Sequence, residues 1–317
     1  MQRFLSRRLI ALIPTLFGVS IVVFVVIHLI PGDTISAMIG TTYKLTEAQA
    51  EALRAYFGLD KPLYQQYLHW MWAALHGDFG YSVRSGEPVM SEILKRFPVT
   101  FELTILSLLI AIVIGIPIGV LSATKKDSFI DIFGRLFALI GLSLPNFWLG
   151  TLIILGLSLY FGFMPNSGKY ISFWEDPLQN LKQMIFPAIT LGFAFTSSVM
   201  RTTRSSMLEV ARQDYVRTAR GKGLGETRVV IRHMLANALI PVITIIGIEF
   251  GYLLGGAVIV EEVFALPGMG RLLLQGISQR DYAVVQGTVL FIAFTFVIVN
   301  LLTDLTYAFI DPRIRYE

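Results

Sequence analysis

The 317-residue sequence contains no cysteine and few charged residues. Without cysteine, the chain has no disulfide bonds, thiolate metal sites or cysteine nucleophiles. Charged residues make up 15% of the chain, against about a quarter in ordinary soluble domains. Hydrophobic residues make up 54%, and the mean hydropathy is +0.65. This balance indicates an integral membrane protein.

Residue patterns for catalysis and metal binding are also missing. The four histidines, at positions 28, 69, 76 and 233, lack the spacing of metal ligands. Neither Gly-Lys pair, at 168–169 and 221–222, belongs to the phosphate-binding pattern G-x-x-x-x-G-K-[ST]. The nucleophile pattern G-x-S-x-G is absent as well. The sequence therefore predicts a chain with no catalytic residues, no metal ligands and no bound cofactor, so that another chain must hydrolyse any ATP that drives it.

Six apolar stretches are long enough to cross a membrane as helices. They are Leu9–Ile30, Phe101–Ala123, Phe133–Phe161, Met184–Met200, Asn237–Val260 and Val284–Ile310. We expect the third stretch to kink at Gly141 and Pro145, and the fourth is the shortest and contains Pro187. The prediction is an all-α integral membrane protein with six transmembrane helices.

Basic residues flank these spans unevenly and predict their orientation. With the N-terminus in the cytoplasm, the inner segments hold sixteen of the 26 Lys and Arg residues. These inner segments are residues 1–8, 124–135, 201–236 and 311–317. Both termini are therefore expected in the cytoplasm, and residues 1–30 are expected to form an uncleaved anchor.

The outer segment between the first two spans, Pro31–Pro98, predicts short surface helices. Residues 45–62 open with Thr46 and Gln49 at capping-box spacing and stop near Gly58, which is typical of a short helix. Residues 63–77 predict a second helix, whose tryptophans suit a membrane–water interface. These helices either lie on the bilayer surface or contact a partner that delivers a solute.

Few charged or amide side chains lie inside predicted spans, where they are energetically costly. Glu249 lies midway along the fifth span, and Asn300 and Asp304 lie in the sixth. Such residues either line a translocation path or form hydrogen bonds between helices without a transport role. Both alternatives stay open for all three residues.

Glycines at four-residue spacing predict close helix packing in two spans. Gly247, Gly251 and Gly255 share one stripe of the fifth span, and Gly115 and Gly119 repeat the spacing in the second. Small residues at this spacing let another helix approach closely. The sequence leaves open whether the neighbour of the fifth span belongs to this chain or to another subunit.

A basic segment, residues 201–236, separates the fourth and fifth spans. Apolar residues at helical spacing predict one amphipathic helix over residues 205–220, with one face formed by Leu208, Ala211, Tyr215 and Ala219. The helix should end at Gly221, Gly223 and Gly225, and a second helix should start at residue 226 and continue into the fifth span. The charge alone suits a loop that sets topology, whereas the defined shape favours a surface that docks anionic lipid or a protein with an acidic groove. No aromatic platform for nucleic acid accompanies the charge.

The motif DYVRTARGKGL, at Asp214–Leu224, is followed by Arg232, His233 and Asn237. These residues resemble the EAA loop of permease subunits in binding-protein-dependent ABC importers, in the form found in the dipeptide/oligopeptide branch. Gly221 stands where that branch commonly has Ala. The resemblance covers almost the whole chain, through RRLIALIPTLFGVSIVVFVVIHLIPGD, GLDKPLYQQYLHW, GDFGYSV, TRSSMLEV, VEEVFALPGMGRLL, RDYAVVQG and DPRIRY.

The resemblance implies a single permease domain over residues 1–317. It consists of the anchor span 1–30, the extracytoplasmic loop 31–98 and a five-span core 99–311 that includes the coupling loop 201–236. The loop is expected to form a cytoplasmic coupling helix that docks in a groove of an ATPase. The implied docking residues are Asp214, Tyr215, Arg217, Thr218, Ala219, Arg220, Lys222, Gly223 and Leu224.

The resemblance also implies the partners and the location of the chain. The partners are a second homologous permease, forming a heterodimer, two cytoplasmic ATPase chains that bind ATP and Mg²⁺, and an extracytoplasmic solute-binding protein. The location is the inner or plasma membrane of a bacterium or archaeon. The predicted solutes are di- and oligopeptides, moved by alternating access. Glutathione, nickel chelates and oligosaccharides remain alternatives, as does an ion-coupled secondary carrier, although the spans contain no chain of ionisable residues for a proton relay.

Overall fold

A computed structural model describes residues 2–29, 47–56, 58–166 and 169–310. Within these ranges the structure is helical, without strands apart from an isolated bridge between Tyr81 and Pro88. The helices of the first half are α1 Gln2–Leu29, α2 Glu47–Tyr56, α3 Leu63–Leu75, α4 Val89–Ile110, α5 Ile116–Thr124, α6 Phe129–Ser143 and α7 Asn146–Phe161. Those of the second half are α8 Pro177–Val210, α9 Asp214–Gly221, α10 Glu226–Arg228, α11 Ala236–Val263, α12 Met269–Gln279 and α13 Tyr282–Ile310. π-Helical turns at Ala111–Gly115 and Val229–Leu235 join α4 to α5 and α10 to α11.

Five continuous helical stretches in the described residues are long and apolar enough to cross a membrane. They are Ile10–Leu29, Val89–Thr124, Pro177–Val210, Glu226–Leu253 and Tyr282–Thr303. The third predicted span is instead two helices, α6 and α7, which are bent by 104° and count as a sixth span only if they cross as a pair. The bend lies where expected, because Pro145 holds Leu144 in an extended conformation, with φ −81° and ψ 127°. The count of six spans stays a prediction.

The fourth predicted span, Met184–Met200, is the middle of the 34-residue helix α8. The Asp176 side chain caps the start of α8 by accepting hydrogen bonds from two backbone N–H groups at 3.1 Å, and Pro177 follows at the first helical position. The sequence prediction was too short because much of α8 is polar. Buried Asn180 and Gln183 belong to the helix but lower its hydropathy.

The glycine pair of the second predicted span, Gly115 and Gly119, confirms the predicted close packing. A Cβ on Gly115 would lie 2.8 Å from the carbonyl oxygen of Thr196, and one on Gly119 would lie 2.7 Å from that of Met200. Both oxygens belong to the α8 backbone, which cannot rotate away as a side chain could. The chain from α4 into α5 therefore crosses α8 so closely that the two backbones are in contact.

The described residues group into two compact units. The first is formed by residues within 1–99 and 267–297, and the second by residues within 100–266 and 298–315. In the first unit, the predicted surface helices are present as α2 and α3, while Thr46 lies outside the described residues. Its apolar core contains Phe79, Val89, Ile93, Met269, Leu272 and Val284. In the second unit, α8 is central and packs against α5, α6, α7 and α11.

Candidate functional site

A short helix, α9, lies between the long helices α8 and α11. Asp214 begins the helix, where its negative charge suits the helix dipole, and its carboxylate lies 3.3 Å from the Arg217 guanidinium. Both side chains are strongly exposed, so this ion pair adds little stability. A helix of eight residues is marginal by itself in water. Packing against the rest of the protein must therefore hold α9 in place.

The predicted single helix over residues 205–220 is wrong. α8 ends at Val210, and Gln213 is extended, with φ −72° and ψ 146°, before α9 begins. This break changes the direction of the helix and the residues that it buries. Val216 and Ala219 are buried, whereas Tyr215, predicted on the apolar face, is 43% exposed.

The buried side of α9 packs into a cluster to which four other parts of the chain contribute. We call it the α9 packing cluster, and its buried members are Ala123, Met207, Val216, Ala219, Val229, Met234 and Ala238. They come from the ends of α5 and α8, from α9 itself, and from the π-helical turn and the start of α11. Val216 is fully buried, and burying a valine side chain contributes about 1.5–3 kcal/mol. This packing fixes which side of α9 faces outward.

The C-terminus of α9 is a Schellman motif. Gly223 lies beyond the cap residue with φ +76°, in the left-handed region. Its N–H donates to the Arg220 carbonyl at 2.9 Å, and the Leu224 N–H donates to the Ala219 carbonyl at 3.4 Å. Leu224 also packs against the α9 packing cluster. The helix end is therefore closed by two hydrogen bonds and an apolar contact, at a backbone angle that glycine adopts most readily.

A bidentate ion pair spans the glycine turn after α9. The Arg220 guanidinium donates to the two Glu226 carboxylate oxygens at 2.6 and 3.0 Å. The carboxylate raises the pKa of Arg220 above its ordinary value. The side chains are 44% and 62% exposed, so the pair contributes at most about 1 kcal/mol. As predicted, the chain becomes helical again at Glu226 and remains helical into α11.

The outward side of α9 and its turn carries most of the predicted docking residues. Exposed residues of the predicted set are Asp214, Tyr215, Arg217, Thr218, Arg220, Lys222 and Gly223. Ala219 and Leu224 differ, because Ala219 is buried and Leu224 is half-buried against the α9 packing cluster. These two residues support α9 from beneath and do not belong to its exposed surface. The exposed surface combines basic and small polar groups on a firmly packed helix.

The predicted path residues do not form one site in the described residues. Glu249 is half-buried on α11 and hydrogen-bonds the side chain of Ser198 on α8. Asn300 is half-buried on α13. The side chain of Asp304 lies outside the described residues. The contact between Glu249 and Ser198 fits hydrogen bonding between helices, and a path-lining role stays a prediction.

The three glycines of the fifth predicted span differ in what surrounds them. A Cβ on Gly247 would meet the side chain of Thr303 on α13, so this glycine allows close packing within the chain. Gly251 is buried. Gly255 is exposed, and a Cβ there would meet nothing within 4 Å.

Sequence reasoning missed buried charged residues in the second unit. Asp131 on α6 and Glu261 on α11 are fully buried, and Arg204 on α8 pairs with Asp131. Glu261 accepts a hydrogen bond from the Thr100 hydroxyl at 2.6 Å. The available signal was the presence of charged residues near the end of each apolar helix. Asp131 and Arg204 lie in segments 124–135 and 201–236, whose basic residues predict orientation and docking but not this pairing.

Comparison with known proteins assigns the fold and the class of transport. Residues 115–316 match the family described as binding-protein-dependent transport system inner membrane component, and residues 1–104 match the corresponding N-terminal family. The chain is 42% identical to the dipeptide transport system permease protein DppB of Escherichia coli strain K12, with full coverage of both chains. The glutathione transport system permease protein GsiC of the same strain is also 42% identical, with the same coverage.

Among solved structures, the MetNI methionine ABC transporter in an inward-facing conformation is similar with a TM-score of 0.55. Identity is 21%, and the match covers 71% of this chain and 99% of that chain, which establishes a shared fold. The predicted family and the predicted all-α membrane fold are confirmed. The chain belongs to the family of binding-protein-dependent transport system inner membrane components and is the multi-pass permease subunit of an ABC importer.

Proposed function

We propose that this permease subunit imports short peptides and that α9 is the contact through which a cytoplasmic ATPase drives it. The peptide assignment is supported by chemistry that two relatives have in common. The solute named for one is a dipeptide and that named for the other is glutathione, itself a small peptide. Nickel chelates and oligosaccharides remain the alternatives.

The observation that carries the ATPase contact is the construction of α9. Its buried side packs against the ends of α5 and α8 and the start of α11, while its charged side is exposed. Closely packed interiors transmit displacement rather than absorb it. A partner that moves α9 therefore moves three helix ends together, as alternating access requires.

The proposed assembly follows from this contact. A second, homologous permease completes the translocation path as a heterodimer, and a solute-binding protein delivers the peptide from outside. Two ATPase chains bind ATP and Mg²⁺ in the cytoplasm, and this chain binds neither. Both termini of the permease are on the same side of the membrane as α9.

Gly223→Asp tests the docking assignment. The change places a negative charge and a strained residue at the end of α9, where an added Cβ has nothing within 4 Å to clash with. We expect normal insertion but loss of co-purifying ATPase and of transport. Gly77→Asp is the matched control, because Gly77 also follows the C-terminus of a helix, at φ +80° and with open space around it. Normal transport by the Gly223 variant would rule out docking through α9.

The solute is tested by uptake into proteoliposomes that contain the purified complex and its binding protein. We expect uptake of a labelled dipeptide that depends on ATP and that excess unlabelled peptide abolishes. Uptake of a nickel chelate or an oligosaccharide that peptide does not compete with would overturn the peptide assignment. Uphill uptake by this chain alone under an ion gradient would instead favour the secondary carrier.

A further inference from the structure

A buried ion pair lies close to the α9 packing cluster but shares no residue with it. The Asp131 carboxylate on α6 accepts hydrogen bonds from Arg204 Nε at 2.6 Å and from Arg204 Nη2 at 2.9 Å, both on α8. It also accepts from the Ser122 hydroxyl on α5 at 2.5 Å and from the backbone N–H of Asp127 at 3.0 Å. Asp131 and Ser122 are completely buried. One carboxylate thus joins α5, α6 and α8.

Stability alone does not account for this arrangement. Removing two charges from water is costly, and well-packed apolar residues often stabilise an interior at least as well as a buried ion pair. What a bidentate pair adds is a defined geometry, since the planar guanidinium fits the carboxylate in one orientation. The pair therefore fixes the position of α6 relative to α8.

Two helices contribute to both the ion pair and the α9 packing cluster. Ser122 precedes Ala123 on α5, and Arg204 lies one turn before Met207 on α8. Ala123 and Met207 contact the buried side of α9, whereas no residue of α6 belongs to that cluster. A displacement of α9 thus reaches α5 and α8 by direct packing, but it reaches α6 only through other contacts.

Other contacts between α6 and α8 include apolar groups. A Cβ on Gly134 would lie 2.6 Å from the terminal methyl of Met200, and the rings of Phe137 and Phe193 meet edge to face at 5.1 Å. Such surfaces hold the helices together but carry no strong directional bond. In the described part of the chain, the side-chain hydrogen bonds between α6 and α8 are those of Asp131 and Arg204.

We propose that Asp131 and Arg204 are positioning residues that transmit the movement of α9 to α6 and thereby to the bent α6–α7 pair. This inference rests on the proposed function, because it takes the ATPase to be what moves α9. It extends that function by assigning a specific connection between the docking helix and a helix that contributes no residue to the α9 packing cluster.

The test is the double variant Asp131→Asn with Arg204→Gln, in the complete complex purified from native cells. Removing both charges leaves no unpaired charge in the interior, so assembly is expected to be retained. We expect the amount of peptide transported per ATP hydrolysed to fall by at least about fivefold, the lower end of typical coupling between sites. The control is Arg135→Gln on α6, whose guanidinium is half-exposed and 3.7 Å from Asp131, and which should leave that ratio unchanged.

A second readout follows α6 directly. The chain contains no cysteine, so Leu139→Cys, at an exposed position on α6, provides one labelling site for an environment-sensitive fluorophore. Trapping nucleotide with vanadate should change the fluorescence when the pair is intact. With equal trapped nucleotide, the change should be lost in the double variant and reduced in Arg204→Lys, which keeps the charge but loses the bidentate geometry.

The outcomes separate this inference from the proposed function. A wild-type transport ratio and an unchanged fluorescence response in the double variant, with the ATPase still bound, overturn the role of the ion pair and leave α9 docking intact. If the double variant does not assemble, the fluorescence response of Arg204→Lys is the test. A response as large as that of the wild type refutes the inference. If the wild-type chain binds no ATPase, the proposed function fails and this inference fails with it.

Discussion

Gly223 closes α9 in a left-handed conformation, and replacing it with alanine isolates the contribution of that shape to ATPase docking. Its φ is +76°, and an added Cβ has no heavy atom within 4 Å, so the methyl group fits without a clash. The cost is therefore conformational, about 1–2 kcal/mol for an L-residue in this region. Gly221 is the matched control, because its added Cβ is equally free but its φ is not in the left-handed range. Alanine in place of a helical glycine stabilises by about 0.5–1 kcal/mol.

This conformational cost translates into an expected change in affinity. If docking requires the closed end of α9, a cost of 1–2 kcal/mol lowers the ratio of closed to open α9 ends by about 5–30-fold. The apparent ATPase affinity falls by up to the same factor, because the ATPase binds only the closed population. The buried Val216 side chain keeps the rest of α9 in place, so the chain should still fold and insert.

The assay is a titration of purified ATPase onto immobilised permease complex in detergent. We expect binding to weaken by up to about 30-fold for Gly223→Ala and not to weaken for Gly221→Ala, with both variants still folded and inserted. Equal affinities for the two variants would refute the claim that this helix end shapes the docking surface. Equal weakening by both would show that any methyl group in the turn interferes, whatever the backbone angle.

Three further substitutions test the packing that supports the site. Val216→Thr keeps the side-chain volume but buries a hydroxyl beneath α9, at a cost of about 1–3 kcal/mol if the hydroxyl stays unpaired. We therefore expect trypsin to cleave the α9 segment faster in this variant. An unchanged cleavage rate would contradict the packing of Val216. Gly119→Ala places a Cβ 2.7 Å from a backbone oxygen of α8 and should lower the unfolding temperature in detergent. Gly156→Ala is the control, because its added Cβ meets nothing within 4 Å, and it should not lower that temperature. Equal unfolding temperatures for the two variants would argue against the close crossing. Asp281→Ala removes a buried side chain that accepts from the Ser82 hydroxyl at 2.6 Å and from the Val284 N–H at 3.3 Å at the start of α13. We expect a loss of about 1–3 kcal/mol, and no change in thermal unfolding would exclude a stabilising role for these bonds.

Local patterns in the sequence predicted the parts of the fold that depend on local chemistry. The bend at Pro145 follows from the missing N–H and the restricted residue before it. The close crossing at Gly115 and Gly119 follows from spacing that brings both glycines onto one face. The end of α9 near Gly223 follows from the preference of glycine for left-handed backbone.

Other features depend on tertiary contacts that a single sequence does not display. The break at Gln213 carries no proline or glycine signal, and Val216 is buried because of where α5 and α11 lie. α8 is longer than predicted because Asn180 and Gln183 are buried among protein groups rather than lipid. The pairing of Asp131 with Arg204 joins residues 73 positions apart, and sequence spacing gives no hint of it.

The central claim is that α9 is where a separate ATPase attaches to this permease. The most direct measurement is mild-detergent purification of the tagged chain from its native cells, in wild-type and Gly223→Asp forms, with co-purifying proteins identified by mass spectrometry. We predict that the wild type brings down a second permease and Walker-motif ATPases, and that the variant keeps the second permease but loses the ATPases. Retention of the ATPases by the variant, or a wild-type chain that purifies without them even after crosslinking in cells, would contradict the claim.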